Sequence, residues 1–171
     1  MRKSAILALI LVAVGIGITL MLQKLKQQAF ADWEAAEFAK NIAACEGDLK
    51  VGDTATFRVR LHGADMLVHI LPYVGRDELG KRFSDSLSND LYLIARDDRS
   101  APALVWVRGD KVIASSGRLS SFVGGKQVFV WKGNDTVAIV IQKVTDTDGR
   151  GKLVFRERPT TDSPAINDRT K

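Results

Sequence analysis

The sequence predicts a mainly β domain, a small antiparallel barrel or sandwich with one inserted short helix, preceded by one transmembrane helix and a helical stalk. Three observations lead there. Ala5 to Leu22 is a run of 18 uncharged, mostly apolar residues. Gln23 to Cys45 is rich in Ala, Glu and Lys and contains neither Gly nor Pro. Beyond Gly47 the hydrophobic period shifts towards two, and Gly, Asn and Asp punctuate short apolar runs.

The apolar run is expected to sit in a lipid bilayer. It holds eleven Ile, Leu and Val residues. Each favours insertion at a helix centre by roughly 0.3 to 0.6 kcal/mol, and no charge, at roughly 2.5 to 3.5 kcal/mol, opposes them. As a helix it spans about 27 Å, close to the hydrocarbon thickness of about 30 Å. Two processing motifs follow it. Ala29-Phe30-Ala31 offers a small-x-small cleavage site, but the apolar core is too long for a cleaved signal, and Lys24 and Lys26 intervene. Ile42-Ala43-Ala44-Cys45 imitates a lipobox, yet six charges separate it from the apolar run (Lys24, Lys26, Asp32, Glu34, Glu37 and Lys40). A retained signal-anchor is the expectation. Arg2 and Lys3 on one side nearly balance Lys24 and Lys26 on the other, so the positive-inside rule decides orientation only narrowly. A short basic N-tail ahead of a folded domain favours a single-pass protein of the inner (cytoplasmic) membrane, with its N-terminus cytoplasmic and its C-terminal domain extracytoplasmic.

The expected organisation is a basic N-tail over 1–4, an anchor over 5–23 and a stalk over 24–45. A β-rich globular domain follows over 46–158, and a polar, proline-containing, disordered tail over 159–171. The single Cys45 excludes an intramolecular disulfide. The chain carries a formal charge of +5. From Glu46 onward, 20 Lys and Arg against 17 Asp and Glu leave +3. These cations are scattered, which gives nucleic-acid binding little support.

In the stalk, Leu22, Leu25, Ala29, Trp33 and Ala36 approximate one helical face, while Lys40 interrupts it and Phe30, Phe38 and Ile42 lie off it. A connector docked on its own domain is favoured over a self-associating stalk, because no heptad is sustained. Thr54 to Leu61 alternates cleanly and reads as a half-buried strand. Met66 to Tyr73 reads as a second strand, entered through the turn His62-Gly63-Ala64-Asp65. Leu79, Phe83 and Leu87 predict one short helix over Arg76 to Leu87. Leu91 to Ala95, Ala103 to Val107 and Lys111 to Ser115 read as a meander turning at Arg108-Gly109-Asp110. Gln127 to Trp131, Thr136 to Val144 and Lys152 to Arg156 read as a second, turning at Gly133-Asn134 and Asp148-Gly149. That makes eight strands.

Chemistry is sparse. His62 and His69 lack a third ligand at metal-binding spacing, so no metal site is assigned and satisfied or exposed histidines are expected. Ser115-Ser116 and Ser120-Ser121 lack a nucleophile elbow. Cys45 follows a helix end, where nothing lowers a thiol pKa. Arg108-Gly109-Asp110 reads as a turn, as does Asp146-Thr147-Asp148-Gly149, which lacks the distal glutamate of a calcium loop. Gly124-Gly125 is no phosphate loop. No catalytic residue, cofactor or metal is assigned.

The candidate partner surface consists of Trp106, Trp131 and Trp33. The first two lie in near-continuous apolar runs, which imply strands covered on both faces by core, by the inserted helix or by a partner chain. The expected function is an extracytoplasmic interaction or assembly module of a membrane-associated complex. It would hold the bilayer through Ala5–Leu22 and bind a protein partner, or a second copy of itself. A membrane-tethered hydrolase and a barrel carrying a small ligand or lipid are the alternatives.

Overall fold

The chain is described here by a computed structural model covering residues 2–97, 102–116 and 127–156. Its first element is one unbroken helix, α1 (Arg2–Asp48), of 47 residues, about 70 Å long at 1.5 Å per residue. The described side chains in the apolar part of α1 are exposed. Leu9, Leu11, Ile16, Leu20 and Leu22 are each more than half exposed, and the helix is long and apolar enough to span a membrane.

The same helix then becomes part of a folded core. Ala31, Ala35, Phe38 and Ile42 are all buried, and their spacing of four, three and four residues places them on one face. That face enters the gap between two antiparallel sheets. The three-stranded sheet has the order β1-β6-β7, and the four-stranded sheet the order β4-β3-β2-β5. In chain order the strands are β1 (Thr54–Arg60), β2 (Met66–Ile70), β3 (Ala103–Arg108), β4 (Lys111–Ser115), β5 (Val128–Lys132), β6 (Thr136–Thr145) and β7 (Gly151–Arg156). The sheets do not close into a barrel. Where a lumen would lie, α1 packs against Val59, Leu61, Trp106, Phe129, Ile139 and Phe155.

Two tight connections carry the chain between sheets, and they are bonded to each other. His62 and Gly63, both at positive φ (49° and 81°), turn β1 into β2. Gly133 to Asp135 turn β5 into β6, with the Leu61 N–H donating to Asp135 O at 2.7 Å and the Gly133 N–H to Asp65 O at 3.1 Å. A Cβ on Gly133 would lie 2.6 Å from Thr136 O, so only glycine fits. Segment Gln127 to Arg156 is therefore not one meander. Its first strand pairs with β2 across the molecule, and only β6 and β7 form a hairpin.

The outer face of the four-stranded sheet carries α2 (Arg76–Gly80) and α3 (Asp85–Asp97). Leu79, Leu87, Leu91 and Ala95 pack there on Val68, Ile70, Val105, Val107 and Val128. Here the structure corrects two expectations. The single helix over Arg76–Leu87 is two: the N–H groups of Arg82 and Phe83 close back on Leu79 O, and Ser84 then caps a new helix, its Oγ accepting the Leu87 N–H at 3.4 Å. The expected strand Leu91–Ala95 lies inside α3. Leu87, Leu91 and Ala95 are one helical face, and the alternation of Leu91, Leu93 and Ala95 is incidental, because Leu93 is exposed. Among the described residues there are seven strands. The expected tail lies outside them, as do Ser120, Ser121 and Gly124-Gly125.

Candidate functional site

The junction between α1 and the β domain is tied by side-chain hydrogen bonds from successive turns of the helix. Gln28 Nε2 donates to Ser115 O at 2.9 Å. Two residues on, Phe30 stacks on His62 with centroids 4.2 Å apart and meets Trp106 edge-on at 5.8 Å. Glu34, only 4% exposed, places one carboxyl oxygen 3.0 Å from His62 Nε2. Its other oxygen accepts the Arg60 N–H at 3.3 Å. Farther along, Lys143 Nζ donates to Glu46 O at 2.7 Å. The left-handed backbone of His62 is what turns its ring back onto the helix.

This makes His62 a clamp with a structural partner. Replacing Glu34 by alanine is expected to cost about 1 to 3 kcal/mol, because it leaves the part-buried Arg60 N–H without its acceptor and removes the anchor of the His62 ring. Glu37→Ala, which removes only an exposed contact to Lys40, should change stability by less than about 0.5 kcal/mol. Urea unfolding of the full chain in detergent compares them, and equal midpoints would refute the clamp.

His69 lies elsewhere, on the core face of β2, and is completely buried. Phe155 meets it edge-on at 4.9 Å, Phe38 stacks at 6.3 Å, and Leu104 and Phe129 flank it in register. Neither ring nitrogen has a hydrogen-bond partner among the described residues. Burial alone lowers its pKa to about 4. It is thus neither a satisfied nor an exposed histidine. The two histidines do not converge, since His62 faces Glu34 and His69 faces an aromatic box. No group of three or more His, Cys, Asp or Glu side chains that could hold a metal ion occurs among the described residues.

Ser116 and Ser88 serve the backbone. Ser116 Oγ accepts the Leu104 N–H at 2.8 Å, and Ser88 Oγ donates to Asp85 O at 3.1 Å. Asp65 accepts the Gly109 N–H at 2.7 Å, tying Arg108-Gly109-Asp110 into its hairpin turn. In the β6–β7 turn the Asp146 carboxyl group is held below its ordinary pKa by Lys152 and by the Thr147 N–H.

The tryptophans separate. Trp106 is fully buried and donates its indole N–H to Arg60 O at 3.0 Å, which takes it off any surface patch. Trp131 is half-buried against Phe129 and Phe155. Trp33 is exposed on the outer side of α1. Sequence reasoning missed Glu34 and the groove beside β5. That groove has a volume of about 570 Å³, runs along Val128 to Lys132, and is bounded by Arg82, Ala138 and Arg156. A second cleft of about 570 Å³ is bounded by Tyr73, Arg76, Tyr92 and Arg96.

Compared with models of protein families, with curated proteins and with solved structures, the chain matches none.

Proposed function

We propose that this is a single-pass inner-membrane protein whose β domain is presented outside the cytoplasm as an interaction or assembly module of a membrane-associated complex. One observation carries the reading: the apolar helix and the domain share a continuous element. Gln28, the first residue of α1 bonded to the domain, lies six positions beyond Leu22, a rise of about 9 Å. Ala31 to Ile42 then enter the core of the domain. A module so attached stands directly against the lipid headgroups, with its orientation fixed relative to the helix. Such a mount suits a protein that positions a binding surface for neighbours in or near the bilayer. Orientation rests on the basic N-tail followed by a folded domain.

Cys45 provides the test, being the only thiol of the chain and lying beyond the apolar run. It is half-buried, and burial together with the nearby Asp48 charge raises its pKa, so it reacts slowly as a folded thiol. In intact cells a membrane-impermeant maleimide is expected to modify Cys45 slowly and to block its later labelling after lysis in urea. A thiol that is silent in intact cells, yet reacts after lysis without denaturant, would put the domain on the cytoplasmic side.

A further inference from the structure

We propose that the free edge of β5 receives an extended acidic segment of a partner protein as an added, fifth strand of the four-stranded sheet. The inference rests on the reading of the domain as an interaction module, and names the site and the kind of partner.

The hydrogen-bonding parity of β5 decides which backbone groups are free. In an antiparallel pair, hydrogen-bonded and non-hydrogen-bonded residue pairs alternate. The Leu71 N–H donates to Gln127 O at 2.9 Å, and the Gly133 N–H donates to Asp65 O at 3.1 Å. Residues Gln127, Phe129, Trp131 and Gly133 therefore direct their backbone groups at β2. Val128, Val130 and Lys132 direct theirs the other way, where no strand pairs with them among the described residues. Three N–H and three C=O groups form an open template about 14 Å long.

The other sheet edges are blunted, and this one is not. β1 presents Arg58 and Arg60. β7 carries Lys152 and Arg156. β4 pairs with β3 through a register shift between Trp106 and Val107, and its end is covered by Gln28 of α1. β5 reads Val-Phe-Val-Trp before its first charge, Lys132, with no proline and no bulge. A long apolar edge left open in this way is unusual for a protein that does not use it.

Space and charge agree. The groove along this edge has a volume of about 570 Å³, and among the described residues no acidic one lines it. Lys132 stands at its end. Arg156 donates from Nε to Gln142 at 2.7 Å, and Arg82 is paired with Glu78 at 2.9 Å. Two of the three cations thus have no acidic partner among the described residues. A strand laid here alternates its side chains between the two faces of the sheet, so acidic residues at alternate positions lie on the face of Lys132, beside Val130, while the others lie on the face of Trp131. Strand addition supplies affinity from the main chain and specificity from alternate side chains.

The experiment uses the full-length protein in nanodiscs and a synthetic peptide of about eight residues with glutamate at alternate positions. Fluorescence anisotropy is expected to show salt-sensitive binding. N-methylation of one alternate set of peptide amides should weaken it about tenfold or more, while methylation of the other set has little effect, because only one set faces β5. Lys132→Glu should weaken binding likewise and leave the melting temperature unchanged. Equal loss from both methylated sets, or equal binding of the lysine counterpart, overturns the proposal. So does binding that appears only when the chain ends at Arg156 or when the protein is dilute, since the edge then belongs to residues 157–171 or to a second copy. Peptide binding in nanodiscs is independent of topology. A cytoplasmic Cys45 would therefore sink the extracytoplasmic reading alone, and absent binding would sink this one alone.

Discussion

Replacing Phe38 by alanine is expected to lower the stability of the protein by about 3 to 5 kcal/mol, a large part of the roughly 5 to 15 kcal/mol that holds a domain together. Phe38 is 1% exposed. Its ring meets Phe57 at 5.5 Å and Phe155 at 6.2 Å, so one side chain of the helix bridges strands of the three-stranded sheet and His69 of the other. Truncation leaves a cavity that the surrounding strands, held by their ladders, fill only partly. Trp33→Ala is the control: larger in volume removed, but from an exposed position on the same helix, with an expected change within about 0.5 kcal/mol. Urea unfolding in mild detergent, followed by tryptophan fluorescence, measures both. If Phe38→Ala behaves like Trp33→Ala, α1 is a stalk merely resting beside its domain.

That contrast also shows what the sequence could convey. The stripe Leu22, Leu25, Ala29, Trp33, Ala36 is the natural continuation of an apolar run, yet Leu25 and Trp33 are each 56% exposed. The buried set, Ala31, Ala35, Phe38 and Ile42, has equally regular spacing but relies on two alanines. Small side chains give a weak hydrophobic signal because they carry little apolar surface, and the same small size lets a helix approach closely. Periodicity alone cannot choose between such faces; the shape of the sheets that receive one of them does.

The strands divide in the same way. Alternation in Thr54 to Arg60 revealed which residues face inward, and Val59 is indeed buried between polar neighbours. The turns at Gly109 and Gly149 were legible because both need positive φ. Partners were not legible. A strand's period says which face is apolar and nothing about which strand lies beside it, so β5 looked like the neighbour of β6 when it pairs with β2. Leu91 to Ala95 failed for a related reason: five residues fit either period, and the decision came from Leu87 upstream and the Ser84 cap. In the candidate site, His62 was visible as a residue but Glu34 was not, since their proximity spans 28 positions and two elements.

His69 gives the protein a pH dependence that sequence alone could not suggest. Its folded-state pKa of about 4 lies below the ordinary 6.5 because burial disfavours the imidazolium. Phe38 from α1, Phe155 from β7 and Phe129 from β5 face it, and none offers a charge or a hydrogen bond. Between these two pKa values the unfolded chain therefore binds a proton that the folded chain does not. Stability from this group is full above pH 6.5 and is lost as pH falls towards 4, by about 3 kcal/mol in all. Guanidinium unfolding at pH 7.5, 6.5, 5.5 and 4.5 should thus show a falling free energy for the native protein. In His69→Leu, which fits an apolar side chain of similar bulk into the same box, that component should vanish. The variant should also match or exceed the native stability at pH 7.5, because two unpartnered ring nitrogens no longer sit in an apolar core. Parallel pH profiles for the two proteins would mean that His69 is protonated in the core or hydrogen-bonded there. A variant markedly weaker at pH 7.5 would mean that the ring nitrogens are satisfied in the folded state, and the aromatic box would then be a polar site.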